Sequence, residues 1–370
     1  MYRHHLGNNG VRGVTVAAPR CASVDALRGI TVAAMLLVNN PGDWGHVYAP
    51  LQHADWHGAT PTDLVFPLFL FVVGVSIALA IGPRIERGDA PALLSRLVLT
   101  RALRIVLLGL VLHLSAFFLL DQAFFRPWGV LQRIGLCFGV VGLLALYTSA
   151  RLQWLLIGGL LLGYWALLAA GGTLLPFDNL ASRIDTALFA PWLYQFDPAT
   201  GRGHDPEGLV STLPAIATTL LGLRAGAWLR AGNVRTLVVA GVFAFVVGSA
   251  WSLVFPLNKN LWTSSYVVWS GGLAMLALAA CHVAIDRRGW PAFGRRFGVN
   301  AIAAYAGSAL MVYVFAALGW WQAIYDQAFA NWMTPLFGPF IPSLAFAVAF
   351  VALWWAVVWW LDRRRVYFKV

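Results

Sequence analysis

Residues 39–63 read NNPGDWGHVYAPLQHADWHGATPTD, which sets His46, His53 and His57 among Asp43, Asp55 and Asp63. Histidine titrates near neutrality, so one held in a cleft can take or give a proton. Two other readings of the segment stand beside that one. It has the composition of a solvated loop, with Trp44 and Trp56 as anchors at a membrane interface. His53 and His57, spaced i, i+4, would also share a metal if they lay on a helix, with His46 as third ligand. Gly58 and Pro61 argue against a helix there, so no metal is expected.

Ionisable groups inside apolar runs are the next signal, because they are costly in a bilayer and by default suggest function. Asp25 and Arg28 are one turn apart, the spacing of a local ion pair. Asp63 precedes LVFPLFLFVVG and could cap the helix that follows. Arg133, beside Gln132, keeps its proton and so needs an anion, either a carboxylate of this chain or a ligand phosphate. His113 reads equally well as a buried, satisfied imidazole. Two further polar stretches, DPEGLVSTLPAI (205–216) with Glu207 and PLNKNLWTSSY (256–266), each precede an apolar run. In the second, Asn258, Lys259 and Asn260 suit sugar hydroxyls or a helix cap.

These groups must be positioned by membrane helices. The chain has 370 residues, 60% hydrophobic and 11% charged, with mean hydropathy +0.72. A soluble domain carries about 25% charged residues, and disorder requires low hydrophobicity. Eighteen Trp and 23 Phe suit aromatic belts. Runs of about 20 apolar residues predict ten spans at 22–40, 63–82, 102–120, 129–149, 153–171, 210–229, 236–255, 265–285, 299–318 and 340–361. The third and fourth carry His113 and Arg133, and the sixth carries Pro214. No internal repeat of the transporter kind is visible. Gly135/Gly139 and Gly222/Gly226 have the spacing of close helix contacts.

The net charge of +11 is distributed as short clusters between apolar runs rather than as a patch, so nucleic acid is not an expected partner. With the N-terminus inside, 21 basic residues fall on the cytoplasmic side and Arg126, Arg183, Arg202 and Lys259 on the other. That asymmetry predicts ten spans with both termini cytoplasmic. The fold class is therefore an all-α polytopic membrane protein. Residues 1–20 form a cytoplasmic arm, expected not to be a cleavable signal, and 21–362 the transmembrane domain, with long outer loops at about 41–62 and 172–209. A basic tail follows at 363–370. The cysteines, Cys21, Cys137 and Cys281, imply no disulfide framework.

The segments SVDALRGITVAAMLLVNN, LQHADWHGATPTDLVFPLFLFVVGVSI, GVLQRIGL, DPEGLVSTLPAIATTLLG, PLNKNLWTSSYV and GVNAIAAY together resemble the heparan-α-glucosaminide N-acetyltransferase family of transmembrane acyltransferases. Bacterial members include the NagX-type proteins of amino-sugar utilisation. The lysosomal members carry a further N-terminal lumenal domain, which this chain is expected to lack. The resemblance implies transfer of acetyl from cytosolic acetyl-CoA to the amine of a glucosamine across the membrane. It places the family's essential histidine at His53, the asparagine after the first span at Asn39 and the aspartate before LVFP at Asp63. The interval between Asn39 and His53 is longer than in the lysosomal enzymes and includes Asp43 and His46, which affects the sugar pocket. A homodimer is also implied.

On this reading His53 is the base that a protonated amine requires. Asp63 orients it and Asn39 donates to the thioester oxygen, while an acetyl-histidine intermediate is the rival mechanism. Arg133, Gln132, Arg28, Arg101 and Arg104 are the candidates for acetyl-CoA. Asp25, Asp43, Trp56 and Glu207 are candidates for the sugar, together with Asn258, Lys259, Asn260 and Trp262. The expected setting is a bacterial inner membrane, with lipid around the helices and the sugar on the periplasmic side. An amino-sugar permease and an O-acetyltransferase of envelope sugars are the alternatives.

Overall fold

The computed structural model describes residues 21–368, so the arm 1–20 and the last two residues of the tail, with Lys369, lie outside the described residues. The helices run α1 (Ala22–Asn39), α2 (Val65–Glu86), α3 (Pro91–Leu119), α4 (Val130–Tyr147), α5 (Ala150–Ala170) and a short α6 (Leu180–Phe189). They continue as α7 (Leu209–Arg230), α8 (Val234–Trp251), α9 (Ser264–Cys281), α10 (Arg295–Val299), α11 (Ala301–Ala317), α12 (Trp320–Tyr325), α13 (Asn331–Phe337) and α14 (Phe340–Arg363). Nine helices among the described residues are long and apolar enough to cross a membrane, and a bent pair supplies a tenth candidate. Among the described residues, sheet is confined to one antiparallel pair, β1 (Gln195–Asp197) with β2 (Arg202–His204).

Each of the ten expected spans falls on a helix, and two differ in form. The third begins at Pro91, well before residue 102. Proline suits the first helical position, and Arg96, Arg101 and Arg104 ride on the helix, where long side chains can reach an interface. The ninth bends by 93° between Ala301–Ala317 and Trp320–Phe337, at Gly319, whose φ of +70° ends α11. Trp320, Trp332, Leu336 and Phe337 on the second limb are exposed.

Contacts between loops define the two ends of the bundle. At one end, which carries His53, the segment 40–61 meets loops 171–208 and 252–263 and the start of α14. At the opposite end Arg230 grips Glu86 at 2.6 and 2.7 Å, and Asp286, on the π-helical extension of α9, accepts the Ser23 N–H at the start of α1.

In lipid the hydrophobic drive between helices is weak, so close backbone approach has to supply packing. The central pair is α2 and α7. A Cβ on Gly222 would overlap the Phe71 carbonyl, one on Gly74 would overlap that of Thr219, and Gly226 lies on Val75. Gly135 sits against Ala102 and Val106 in the same way, joining α4 to α3. Leu70, Phe71, Leu220, Trp262 and Tyr266 fill the core around the crossing. The outer faces of α3, α5 and α8 expose leucine and valine, as lipid contact requires. Gly222→Leu should therefore cost more than the roughly 1–3 kcal/mol of ordinary overpacking, because backbone is what it meets, and no monodisperse protein should survive detergent extraction. Gly158→Leu, where a Cβ has no neighbour within 4 Å, should run on a sizing column like the parent; equal behaviour of the two would remove α2–α7 as the keystone.

Candidate active site

Segment 40–61 divides into two anchored halves. In the first, Asp43 accepts from His46 Nδ1 at 2.6 Å and from the Gly45 N–H at 2.8 Å, while Ser343 on α14 bonds both its N–H and its carbonyl at 3.0 Å. The hydrogen bond from His46 holds the Asp43 carboxyl below the usual range. In the second, Asp63 is the anchor. It does not cap α2, because α2 is preceded by a 3₁₀ turn, Thr62–Leu64, and the side chain reaches backward into the loop instead. Its Oδ2 accepts the Ala54 and Thr60 N–H groups, both at 3.0 Å, and Oδ1 lies 2.6 Å from His53 Nδ1. The Asp63 side chain is 1% exposed and that of His53 46%.

A carboxylate only accepts, so His53 Nδ1 carries the hydrogen and Nε2 keeps its lone pair. Lys259 Nζ stands 3.1 Å from Nδ1 and 3.2 Å from Nε2. Nζ is thus nearly equidistant from the two ring nitrogens and sits against the imidazole rather than on the Nε2 lone pair, which points away from the ring. Tyr266 on α9 donates to the Asp63 carbonyl at 2.5 Å, fixing the backbone beneath the pair.

Lys259 is held by a tight turn that the sequence NKNLWTSS builds. Asn258 Oδ1 accepts the Leu261 N–H at 2.8 Å, and Thr263 N and Oγ1 close onto the Asn258 backbone. Trp262 takes φ +54° and inserts, fully buried, to bond Thr218 on α7 at 3.1 Å. Asn258 also reaches His57 Nδ1 at 3.3 Å, and burial lowers the pKa of that imidazole. Trp56 donates to the Leu174 carbonyl at 2.8 Å, tying the His53 loop to the 171–208 loop.

Behind the pair lies a buried ionic cluster. Arg126 makes a bidentate pair with Asp205 at 2.5 and 2.8 Å and reaches Glu207 at 2.5 Å. Burial alone would lower the Arg126 guanidinium; Asp205 and Glu207 outweigh it and raise it. Burial would likewise raise the Glu207 carboxyl, and Arg126, Arg133 and Lys259 hold it low. For Lys259 burial wins, pushing the ammonium down against Glu207 and Asp63. Arg133, fully buried, bonds the Ser211 hydroxyl and the Gly208 carbonyl and lies 5.2 Å over the Trp262 ring. Its Nε and Nη1 find no partner among the described residues.

His53, Asp63, Lys259, Asn258, Trp262, Glu207 and Arg133 thus come together at one end. Gln132 is there too, buried at 3.5 Å from His113, whose Nδ1 donates to the Arg126 carbonyl at 2.6 Å. Asn39 ends α1 with its side chain exposed, and Asn260 is half-buried. Arg28 and Asp25 lie toward the opposite end, paired at 3.1 Å, with Arg28 also bonding Ser76 at 2.6 Å and the Gly298 carbonyl. Arg101 and Arg104 lie in the same half, on α3, Arg101 over the Phe138 ring. The five candidates for acetyl-CoA are therefore split between the two ends. Arg126, Asp205, Tyr266 and Asp185 were not among the sequence candidates; the lone Arg126 in a segment otherwise poor in cations was the available signal.

Fold and site together define a polytopic helical membrane protein with a histidine–carboxylate pair opening at one end of its bundle. Residues 20–255 match the family described as heparan-alpha-glucosaminide N-acetyltransferase, catalytic, and the chain belongs to that family. It is 28% identical to human heparan-alpha-glucosaminide N-acetyltransferase over 421 residues, covering 95% of this chain and 60% of the human protein. The mouse protein of the same name is 27% identical over 418 residues, covering 96% and 61%. The chain thus spans about three fifths of the length of these curated relatives.

Two outcomes follow from the buried charges. Arg126→Ala removes the guanidinium that pairs with two buried carboxylates, and should cost about 3–5 kcal/mol, read as a large drop in thermal midpoint in nanodiscs. Asp185, which accepts the Val210 N–H at the start of α7, is pushed by burial from 3.8 up to about 7. Its contribution to stability is present below its unfolded pKa and lost as pH rises through about 7. His204, pushed by burial from 6.5 to about 4, acts in the opposite sense over nearly the same window. Asp185→Asn should therefore gain stability relative to the parent as pH climbs from about 4 to about 7, levelling on either side; a pH-independent difference would show that Asp185 is ionised throughout.

Proposed function

We propose that this protein transfers the acetyl group of cytoplasmic acetyl-CoA to the amine of glucosamine, or of a glucosamine-ended saccharide, on the periplasmic side of a bacterial inner membrane. The observation that carries the reading is the His53–Asp63 pair, whose Nε2 lone pair opens at a loop-rich end of a membrane bundle in a chain of this family.

An ammonium is not a nucleophile, so amide formation has to begin with proton removal. His53 Nε2 takes that proton from the sugar amine. Asp63, holding Nδ1–H, fixes the tautomer and stabilises the imidazolium that forms, as in hydrolytic triads. The amine attacks the thioester carbonyl. Negative charge then develops on the carbonyl oxygen, where Asn39 and the unpartnered N–H groups of Arg133 are the donors; loss of one such donor typically costs about 2.7–4 kcal/mol. Asp43, Trp56, Glu207, Asn258, Asn260 and Trp262 shape the sugar side, Asp43 and Trp56 through the loop they anchor.

On the cofactor side, Arg28, Arg101 and Arg104 suit phosphates. Arg28 and Asn39 are eleven residues apart on α1, about 16 Å along the axis at 1.5 Å per residue, a distance suited to an extended pantetheine arm. Asp25 serves this end by pairing with Arg28 rather than by meeting sugar. Assembly as a homodimer, with lipid on the exposed faces of α3, α5 and α8, completes the reading.

Purified protein in nanodiscs, given acetyl-CoA and glucosamine, should release free CoA thiol and N-acetylglucosamine in equal amounts, followed by mass spectrometry. His53→Ala should lower the rate by at least ~100-fold, the lower range for general acid–base catalysis, in protein that still shows a cooperative thermal transition. Full activity in that variant would remove His53 as base. Absence of product from folded parent protein would remove free glucosamine as the acceptor.

A further inference from the structure

We propose that Lys259 is an internal acyl acceptor: with acetyl-CoA bound and no sugar in place, the site acetylates its own Lys259 Nζ. This rests on the acetyltransferase reading above. A general base must lie about 2.6–3.2 Å from the group whose proton it removes. Lys259 Nζ lies 3.1 and 3.2 Å from the two ring nitrogens of His53, so its amine already stands within that distance of the base, next to the place that the sugar nitrogen has to take. It is a primary amine like that nitrogen, and its side chain is 18% exposed.

The residue type is informative. Of the 26 basic residues only Lys259 and Lys369 are lysine; the rest are arginine. An arginine at 259 would bring the same charge to Asp63, 3.9 Å away, and to Glu207, but it keeps its proton and cannot attack a carbonyl. The 258–263 turn holds the lysine in register with His53. Burial independently favours the free amine.

In the step, the ammonium gives one proton to His53 Nε2. The amine attacks the acetyl carbonyl, the new C–N bond forms and the C–S bond breaks. The second amine proton goes to the departing thiolate, which leaves as CoA thiol, and His53 releases its proton to water. The product is neutral ε-N-acetyl-lysine. It removes the cation facing Asp63 and leaves an acetamide before His53, idling an enzyme that has donor and no acceptor.

The test incubates the full-length protein in nanodiscs with deuterated acetyl-CoA and no sugar, followed by peptide mass spectrometry, with Lys369 as internal control. Label should accumulate on Lys259 far faster than on Lys369, be suppressed by excess glucosamine, and fall by ~100-fold in His53→Ala, as for loss of a general base. Lys259→Arg should carry no label at that position. Equal labelling of the two lysines, or persistence in His53→Ala, would mean uncatalysed acetylation and overturn the proposal. Unlabelled Lys259 in a preparation that acetylates glucosamine would overturn it while leaving the enzyme's function intact. Neither label nor N-acetylglucosamine would overturn both.

Discussion

The Asp63 carboxylate, buried at the head of α2, is the group on which the site depends. A buried charge has to be fully bonded, and Asp63 meets that requirement with the Ala54 N–H, the Thr60 N–H and His53 Nδ1, with Lys259 standing 3.9 Å off. Each partner comes from the chain that the carboxylate thereby shapes. The loop 52–60 is folded around it, the histidine tautomer is set by it, and the lysine turn brings a counter-cation. One desolvated anion thus converts an irregular loop into a site of fixed geometry, which is preorganisation in the physical sense.

The helical scaffold holds that arrangement through close backbone approach and through polar ties at the ends. Glycines at the α2–α7 crossing bring two backbones together, and α7 then carries Thr218 and Ser211 to Trp262 and Arg133. The ionic cluster of Arg126, Asp205 and Glu207 closes the floor under loop 171–208. Breaking such a buried network costs more than a hydrophobic replacement of the whole would, so these charges fix one geometry even where they add little stability.

Much of this was legible in the residues. Apolar runs located the nine span-length helices and the first limb of the bent pair, because in a bilayer length and hydropathy are nearly sufficient to define a helix. His53, Asp63 and the NKNLWT turn were legible because polar residues at span ends are few and grouped. The bend at Gly319 was not, since the short second limb, rich in Trp and Phe, has no 20-residue apolar signature of its own. Nor was the pairing of Arg126 with Asp205, which are 79 residues apart and meet only through the packing of intervening helices. Arg133 and Arg28 both read as phosphate ligands, and only the direction of α1 and α4 showed them to be at different depths. The reach of Asp63 back to Ala54 rather than forward into α2 depended on a 3₁₀ turn that a capping pattern does not distinguish.

The clamps on the His53 loop also bear on the order in which the chain is made. Trp56 is bonded to a carbonyl 118 residues later, His53 to a lysine 206 later, and Asp43 to a serine 300 later. Synthesis proceeds from the N-terminus, so the loop leaves the ribosome among the earliest segments and acquires its last fastening only when the start of α14 arrives. The restraints around the His53 imidazole are therefore completed late, and a nascent chain halted after any earlier helix carries His53 without its full set of them. Competence at the site thereby becomes a report on complete insertion of the polypeptide.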